Sequence, residues 1–214
     1  MRVIYAVPLL FLLCFCRCAP QGPAPAVATA VPDPLRYRAA IDSITAMLQT
    51  GDVALRRGRG PYSYILANLN QVDKTYSHCG LVVVEHGYPF VYHSIGGEDN
   101  PDERMRRDSA TTFFTPQYNS DIAVARYPFS LAEKKKLTTV VHDFYKARPK
   151  FDLEFDLATD DKLYCSEFIA KAIDRTMNDT TYIKKTYAYN RWCAGIDALY
   201  INGHAHMLAK FKFE

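Results

Sequence analysis

The sequence has little of several features that define specialised classes of protein. Lys and Arg (26) nearly balance Asp and Glu (23), so the formal charge is only +3 and no nucleic-acid partner is expected. Cysteine, with 6 in 214 residues, is too scarce for a disulfide-stapled fold. The chain does have 49% hydrophobic and 13% aromatic residues, which is enough apolar material for one sizeable core and excludes a disordered protein.

Metal-binding and cofactor motifs are also missing. His204, His206 and Cys193 have no accompanying Cys-x-x-Cys or His-Glu-x-x-His pair, so we do not expect a zinc site. The acidic residues between 152 and 161 lack the loop spacing of an EF-hand, and Gly58-x-Gly60 lacks the third glycine of a dinucleotide-binding loop. We therefore predict neither a metal nor a cofactor.

Residues 1–18 have the pattern of an export signal. Arg2 provides the positive start, and the apolar run from Val3 to Phe15 is shorter than the roughly 20 residues that a membrane-spanning helix needs. The pattern predicts an exported protein of the bacterial cell envelope.

Cysteines at the end of this signal resemble those of bacterial lipoproteins. Cys16 and Cys14 each follow an apolar, leucine-containing stretch, so both are lipidation candidates. Ordinary signal-peptidase cleavage near Cys18 is the alternative. We predict a lipoprotein that faces the periplasm or the cell surface and contacts the membrane through its N-terminal lipid anchor.

The rest of the chain divides into a tether and one folded domain. Residues 19–34 are rich in Pro and Ala and favour extended conformations, whereas 35–214 have the size of a single domain. Helical spacing alternates there with β-rich runs, which predicts an α+β fold with an antiparallel sheet packed against helices. Helices are predicted over 35–49, from 61, over 131–148 and over 164–177, and strands over 52–56, 77–85, 88–94, 121–127, 151–157 and 206–213. The segment 95–121 is predicted to be a long polar connection.

Two histidines are brought together by the register of one predicted hairpin. If His86-Gly87 is a two-residue turn, Gly80 faces His93 on the neighbouring strand. His78 then lies on the same sheet face as His93, as its diagonal neighbour, at roughly 7–8 Å between Cα atoms. The spacing predicts that one imidazole orients the other.

A cysteine at the start of a predicted helix is the candidate nucleophile. The unpaired N–H groups at a helix N-terminus favour a thiolate, and Cys165 holds that position. Cys165, His78 and His93 thus have the residue types of a nucleophile, a base and an orienting group. The backbone N–H of Cys165 is a predicted oxyanion donor.

Three blocks of sequence resemble a known family in their order. These are Gly51-Asp-Val53, Tyr76-Ser-His-Cys-Gly-Leu-Val82 and Leu163-Tyr-Cys-Ser-Glu-Phe-Ile169. Together they resemble the permuted papain-like amidases, the YiiX-like branch of the NlpC-type cysteine peptidases, in which the histidine strands precede the cysteine helix. The resemblance covers roughly residues 48–177 and implies a circularly permuted papain-like (NlpC-type) fold.

The resemblance also implies roles for individual residues. Cys165 matches the nucleophile and His78 the histidine of the Ser-His-x-Gly motif, while His93 takes a third position where many relatives have glutamate. Three further residues match motif positions beside the site: Asp52, Tyr164 and Glu167.

The function implied is that of an exported cysteine hydrolase. It would cleave an amide bond in a peptide, a lipid or another small molecule through a thioester on Cys165. Relatives in this branch also transfer acyl groups, so an acyltransferase with the same Cys-His site is an alternative. A second alternative is a non-catalytic envelope lipoprotein that uses the cleft only to bind a ligand.

Overall fold

A computed structural model describes residues 34–97, 100–188 and 190–214. The predicted export signal, both lipidation candidates and nearly all of the predicted tether lie outside the described residues. Within the described ranges, every helix is too short or too polar to cross a bilayer.

The architecture is built on six antiparallel strands. They are β1 (Val53–Gly58), β2 (His78–Glu85), β3 (Tyr88–His93), β4 (Arg106–Ser109), β5 (Asn119–Arg126) and β10 (His206–Lys212). Their order in the sheet is β10-β5-β1-β2-β3-β4. Two small ladders lie outside this sheet: β6 (Lys150–Phe151) with β7 (Lys162–Leu163), and β8 (Thr186–Ala188) with β9 (Arg191–Cys193).

Helices cover both faces of the sheet. They are α1 (Arg38–Met47), α2 (Pro61–Asn68), α3 (Ala110–Phe113), α4 (Leu131–Ala147) and α5 (Cys165–Met177). One apolar core joins α4 and α5 to the face that carries Cys79 and Leu81, and a second joins α1 and α3 to the face that carries Val82. The mixed composition and antiparallel sheet agree with the predicted α+β class.

The hairpin prediction is confirmed. His86 and Gly87 both have positive φ, 50° and 84°, as a two-residue turn with the twist of the strands requires. Glu85 pairs with Tyr88, and the ladder continues to Leu81 opposite Tyr92.

Two other local predictions are wrong. Residues 106–109 were expected in a polar connection but form β4, which pairs with β3 along its whole length. Residues 151–157 were expected to be a strand, but only Lys150–Phe151 is one. The reason is Asp152, whose buried carboxylate accepts the backbone N–H groups of Glu154 (2.8 Å) and Asp156 (2.6 Å) and thereby bends the chain into a turn.

Candidate active site

The Cys165 thiol lies where the ladder between β2 and β3 stops. The N–H of Val82 in β2 donates to the carbonyl of Asp52, just before β1, so the N–H groups of the odd-numbered residues point toward β3. The paired residues end at Leu81 and Tyr92, which leaves the N–H of Cys79 beyond the last pair. A hydrogen-bonding interaction of this N–H with the Cys165 thiol lowers the pKa of Cys165.

Hydrogen bonds to the Cys165 sulfur make it the more acidic of two neighbouring thiols. The Cys79 thiol and the backbone N–H groups of Cys79 and Ser166 lower the pKa of Cys165, although burial acts in the opposite direction. Burial raises the pKa of the Cys79 thiol well above its ordinary value. The arrangement therefore favours a Cys165 thiolate with Cys79 as a neutral donor. Cys165 remains partly exposed, and neither thiol is in a disulfide.

His78 and His93 are joined on the opposite sheet face, as the register predicts. His78 Nε2 and His93 Nδ1 are 2.9 Å apart, and His93 Nε2 is 3.1 Å from Asp108 Oδ2. Arg106 donates to the other oxygen of Asp108 at 2.8 Å. A buried chain of two imidazoles thus ends on a carboxylate and a guanidinium.

Burial and nearby cations keep both imidazoles neutral. Burial, followed by the charge of Arg56, lowers the pKa of His78 well below 6.5. Burial also lowers the pKa of His93, to about 4, against the opposing effect of Asp108. Contacts with His93 and Arg106 outweigh burial at Asp108 and hold its pKa at about 2, so this carboxylate is ionised at neutral pH.

Gly80 makes room for the histidine pair. It lies on the same face as His78 and opposite His93, and a Cβ there would come within 2.3 Å of Val91 Cγ1 and 3.2 Å of His93 Cβ. The glycine of the Ser-His-x-Gly motif is thereby explained by close side-chain packing rather than by backbone conformation.

Within the described residues, the Cys165 thiol and the His78 ring do not share a hydrogen bond. Their link is through the backbone, because the N–H that binds Sγ belongs to the peptide unit between His78 and Cys79. The three predicted residues therefore meet around one peptide unit, with only the two histidines in direct side-chain contact.

Tyr164 and Glu167 lie beside Cys165 and stabilise the start of its helix. The Tyr164 N–H donates to Glu167 Oε2 at 3.1 Å, which caps the helix that starts at Cys165. The Tyr164 hydroxyl accepts the N–H of Ala194 at 2.8 Å. Glu167 is fully buried, and burial raises its pKa to about 7 although Lys171 pairs with it at 2.8 Å.

The prediction that Asp52 lies beside the site is not supported by its contacts. Its buried carboxylate accepts two hydrogen bonds from Arg126, both 2.7 Å, and the backbone N–H of Gln49 at 2.8 Å. These contacts tie the turn after α1 to β5. Asp52 thus stabilises the fold, and within the described residues its carboxylate makes no hydrogen bond to Cys165 or His78.

Sequence reasoning missed two residues of this site. Cys79 is buried in the core, and its thiol and backbone N–H both lower the pKa of Cys165. Asp108 was placed in a loop. Its strand neighbours Arg106, Arg107 and Ser109 give no apolar alternation, so only pairing with β3 makes it a strand residue.

The fold is similar to that of a known bacterial protein. The metalloprotein YiiX from Escherichia coli O157:H7 matches with a TM-score of 0.62 and 18% identity, over 77% of this chain and 98% of that chain. No protein-family model and no curated protein sequence matches the chain. At this identity the likeness shows a YiiX-like fold and leaves the activity open.

The donor side chains of the described residues do not fit a metal centre. In the part of the chain that the structure describes, no three His, Cys, Asp or Glu side chains are grouped to hold an ion. Both ring nitrogens of His93 are already engaged, one with His78 and one with Asp108. The chemistry derived for this site is that of its thiol and imidazoles.

Proposed function

We propose that the protein is a cysteine hydrolase of the permuted papain-like, NlpC-type superfamily, with Cys165 as nucleophile and His78 as base. The observation that carries the proposal is the environment of Cys165, a partly exposed thiol at a helix N-terminus whose pKa hydrogen bonds lower. A cysteine that only fills a core has its pKa raised by burial, as Cys79 does. The motif resemblance and the YiiX-like fold support the same assignment.

The reaction proceeds through an acyl-enzyme. Cys165 Sγ bonds to the carbonyl carbon of an amide while His78 holds the thiol proton, and the backbone N–H of Cys165 stabilises the oxyanion. His78 then protonates the leaving nitrogen, the C–N bond breaks, and a thioester remains on the sulfur. Water loses a proton to His78 and attacks the thioester. The carboxylic acid leaves, and the expelled sulfur takes back the proton that His78 accepted from water, which regenerates the Cys165 thiol and the neutral imidazole.

Substrate class and location follow from the predicted envelope export. Peptide amides and N-acyl lipids are both available there, and an amine or alcohol in place of water would make the same thioester an acyl donor. We propose hydrolysis at the envelope, with the N-terminal lipid anchor keeping the domain near the membrane.

The test is site-resolved alkylation of the folded protein. Iodoacetamide at pH 7, followed by peptide mass spectrometry, is expected to label Cys165 faster than Cys79, which is buried, and faster than Cys193, whose pKa burial raises. Cys165→Ser should abolish turnover of a panel of peptide and N-acyl amides, with Cys193→Ser as the matched control. Faster labelling of Cys193, or full turnover by Cys165→Ser, would sink the proposal.

Replacing the base separates thiol activation from proton transfer. Hydrogen bonds from Cys79 and Ser166, not an imidazolium, lower the pKa of Cys165. His78→Ala should therefore retain alkylation of Cys165 but lose turnover by about 10²–10⁴-fold, the usual contribution of a positioned acid–base group. Loss of alkylation together with turnover would mean that His78 ionises the thiol directly. Retained turnover would remove His78 from the mechanism.

A further inference from the structure

We propose that Asp108 is a positioning residue which, held by Arg106, fixes the tautomers of both histidines and leaves His78 Nδ1 unprotonated, the state that a general base requires. The inference rests on the proposed function and extends the site by a residue that the sequence motifs do not include. Asp108 reaches the reaction only through His93 and His78.

The tautomers follow from which atoms can donate. A carboxylate only accepts hydrogen bonds, so at 3.1 Å from Asp108 Oδ2 the Nε2 atom of His93 carries the proton. A neutral ring has one N–H, so His93 Nδ1 is an acceptor. His78 Nε2, 2.9 Å away, is then the donor. His78 Nδ1 is left with its lone pair, which is the state that a general base needs.

Arg106 sets the orientation of the group at position 108. Its Nη2 donates to Asp108 Oδ1 at 2.8 Å, so the atom facing Arg106 must be an acceptor. Aspartate satisfies Arg106 and His93 at once, because both of its oxygens accept. Asparagine has one oxygen and one NH2 group, and cannot accept from both neighbours in the same way.

Asp108→Asn should reverse the whole chain. With its oxygen toward Arg106, its NH2 group points at His93 Nε2, which must then accept. His93 Nδ1 becomes the donor, His78 Nε2 the acceptor, and the proton of His78 moves to Nδ1. The base is then occupied, so we expect kcat to fall by about 10²–10⁴-fold with little change in KM.

Asp108→Ala is the contrasting variant. It removes the carboxylate without imposing a wrong tautomer, so both tautomers of His93 are populated and a smaller loss of kcat is expected. A residue with only a structural role predicts the opposite order, because asparagine preserves the shape of aspartate and alanine does not. Asp108→Asn less active than Asp108→Ala is thus the diagnostic result.

A double variant tests the part of Arg106. In Arg106→Leu with Asp108→Asn, the amide is free to rotate and present its oxygen to His93, so activity should rise above that of Asp108→Asn alone. Arg106→Leu by itself should cost less than Asp108→Asn, since His93 keeps its acceptor. No rescue by the double variant would overturn the role given to Arg106.

Nitrogen NMR provides a readout that is independent of turnover. Long-range 1H–15N spectra of the full domain, with signals assigned by His78→Gln and His93→Gln, should show His78 protonated on Nε2 in the wild type and on Nδ1 in Asp108→Asn. Unchanged tautomers in a folded Asp108→Asn variant would overturn the inference while the proposed function stands. Turnover that survives Cys165→Ser would instead overturn the proposed function, whichever tautomers are observed.

Discussion

Removing the Cys79 thiol should make Cys165 a slower nucleophile. The Cys79 side chain is fully buried, and its hydrogen bond is the largest cause of the lowered pKa of Cys165. A hydrogen bond to an ionised group contributes about 1.5–3 kcal/mol, and about 1.4 kcal/mol corresponds to a tenfold change in an equilibrium constant. Cys79→Ala should therefore lower the thiolate fraction, and the alkylation rate of Cys165 at pH 6, by about 10- to 100-fold.

Serine at the same position is the matched control. Cys79→Ser keeps a donor of nearly the same size, so its alkylation rate should stay much closer to that of the wild type. The rates are measured against pH with iodoacetamide and mass spectrometry of the Cys165 peptide. Wild type and Cys79→Ala should converge at high pH, where the thiol is ionised in both.

The reasoning is refuted if Cys79→Ala and Cys79→Ser give the same pH profile as the wild type. The backbone N–H groups of Cys79 and Ser166 would then account for the acidity of Cys165 without the Cys79 thiol. Thermal melting of each variant checks that the comparison is made between folded proteins, because a buried deletion also leaves a small cavity.

Two further predictions concern stability. Burial raises the pKa of Glu167 from 4.5 to about 7, so the folded state prefers its protonated form. The stability of the wild type relative to Glu167→Gln should thus fall by about 3 kcal/mol at most as pH rises from 4.5 to 7. Urea denaturation of both proteins across that pH range measures the difference. Parallel plots of unfolding free energy against pH would contradict the prediction. Asp52→Ala removes the carboxylate partner of Arg126, which keeps its hydrogen bond to the Met47 carbonyl, and should lower the unfolding free energy by about 1.5–3 kcal/mol and the melting temperature by about 5–10 °C, with unchanged turnover per folded molecule. Lost turnover at an unchanged melting temperature would return Asp52 to the site.

Local signals predicted the parts of the site that short-range geometry determines. His86-Gly87 is a dipeptide that forms a two-residue turn, and that turn alone fixes which residue of β2 lies across from His93. The helix that starts at Cys165 follows from its apolar spacing and from Glu167, which caps it. Each of these relations spans fewer than about twenty residues, within reach of pattern reasoning.

The features that the sequence pattern did not predict depend on contacts between strands and on side-chain hydrogen bonds. β4 is rich in charged residues and has no apolar alternation. It is a strand because its backbone pairs with β3, so the sequence pattern does not predict that Asp108 lies in a strand. The end of the β2–β3 ladder depends on where β3 turns away, after His93, and this exposes the N–H of Cys79 to Cys165. In 151–157 the apolar alternation indicated a strand, but the hydrogen bonds of Asp152 outweighed it.

The sheet places Cys165 and His78 in two different electrostatic environments. Hydrogen bonds from one side of the sheet favour the thiolate of Cys165, while burial and Arg56 on the other side oppose an imidazolium at His78. Under the proposed mechanism, the neutral ring of His78 takes the proton that the Cys165 thiol loses when it attacks a bound substrate. The guanidinium of Arg56 lies 4.6 Å from the centre of the Phe113 ring, and its positive charge opposes protonation of His78. The negative charge of Asp108, which contacts His93, offsets this effect of Arg56. Asp108, which contacts His93 and not His78, therefore acts on His78 only through the neighbouring imidazole.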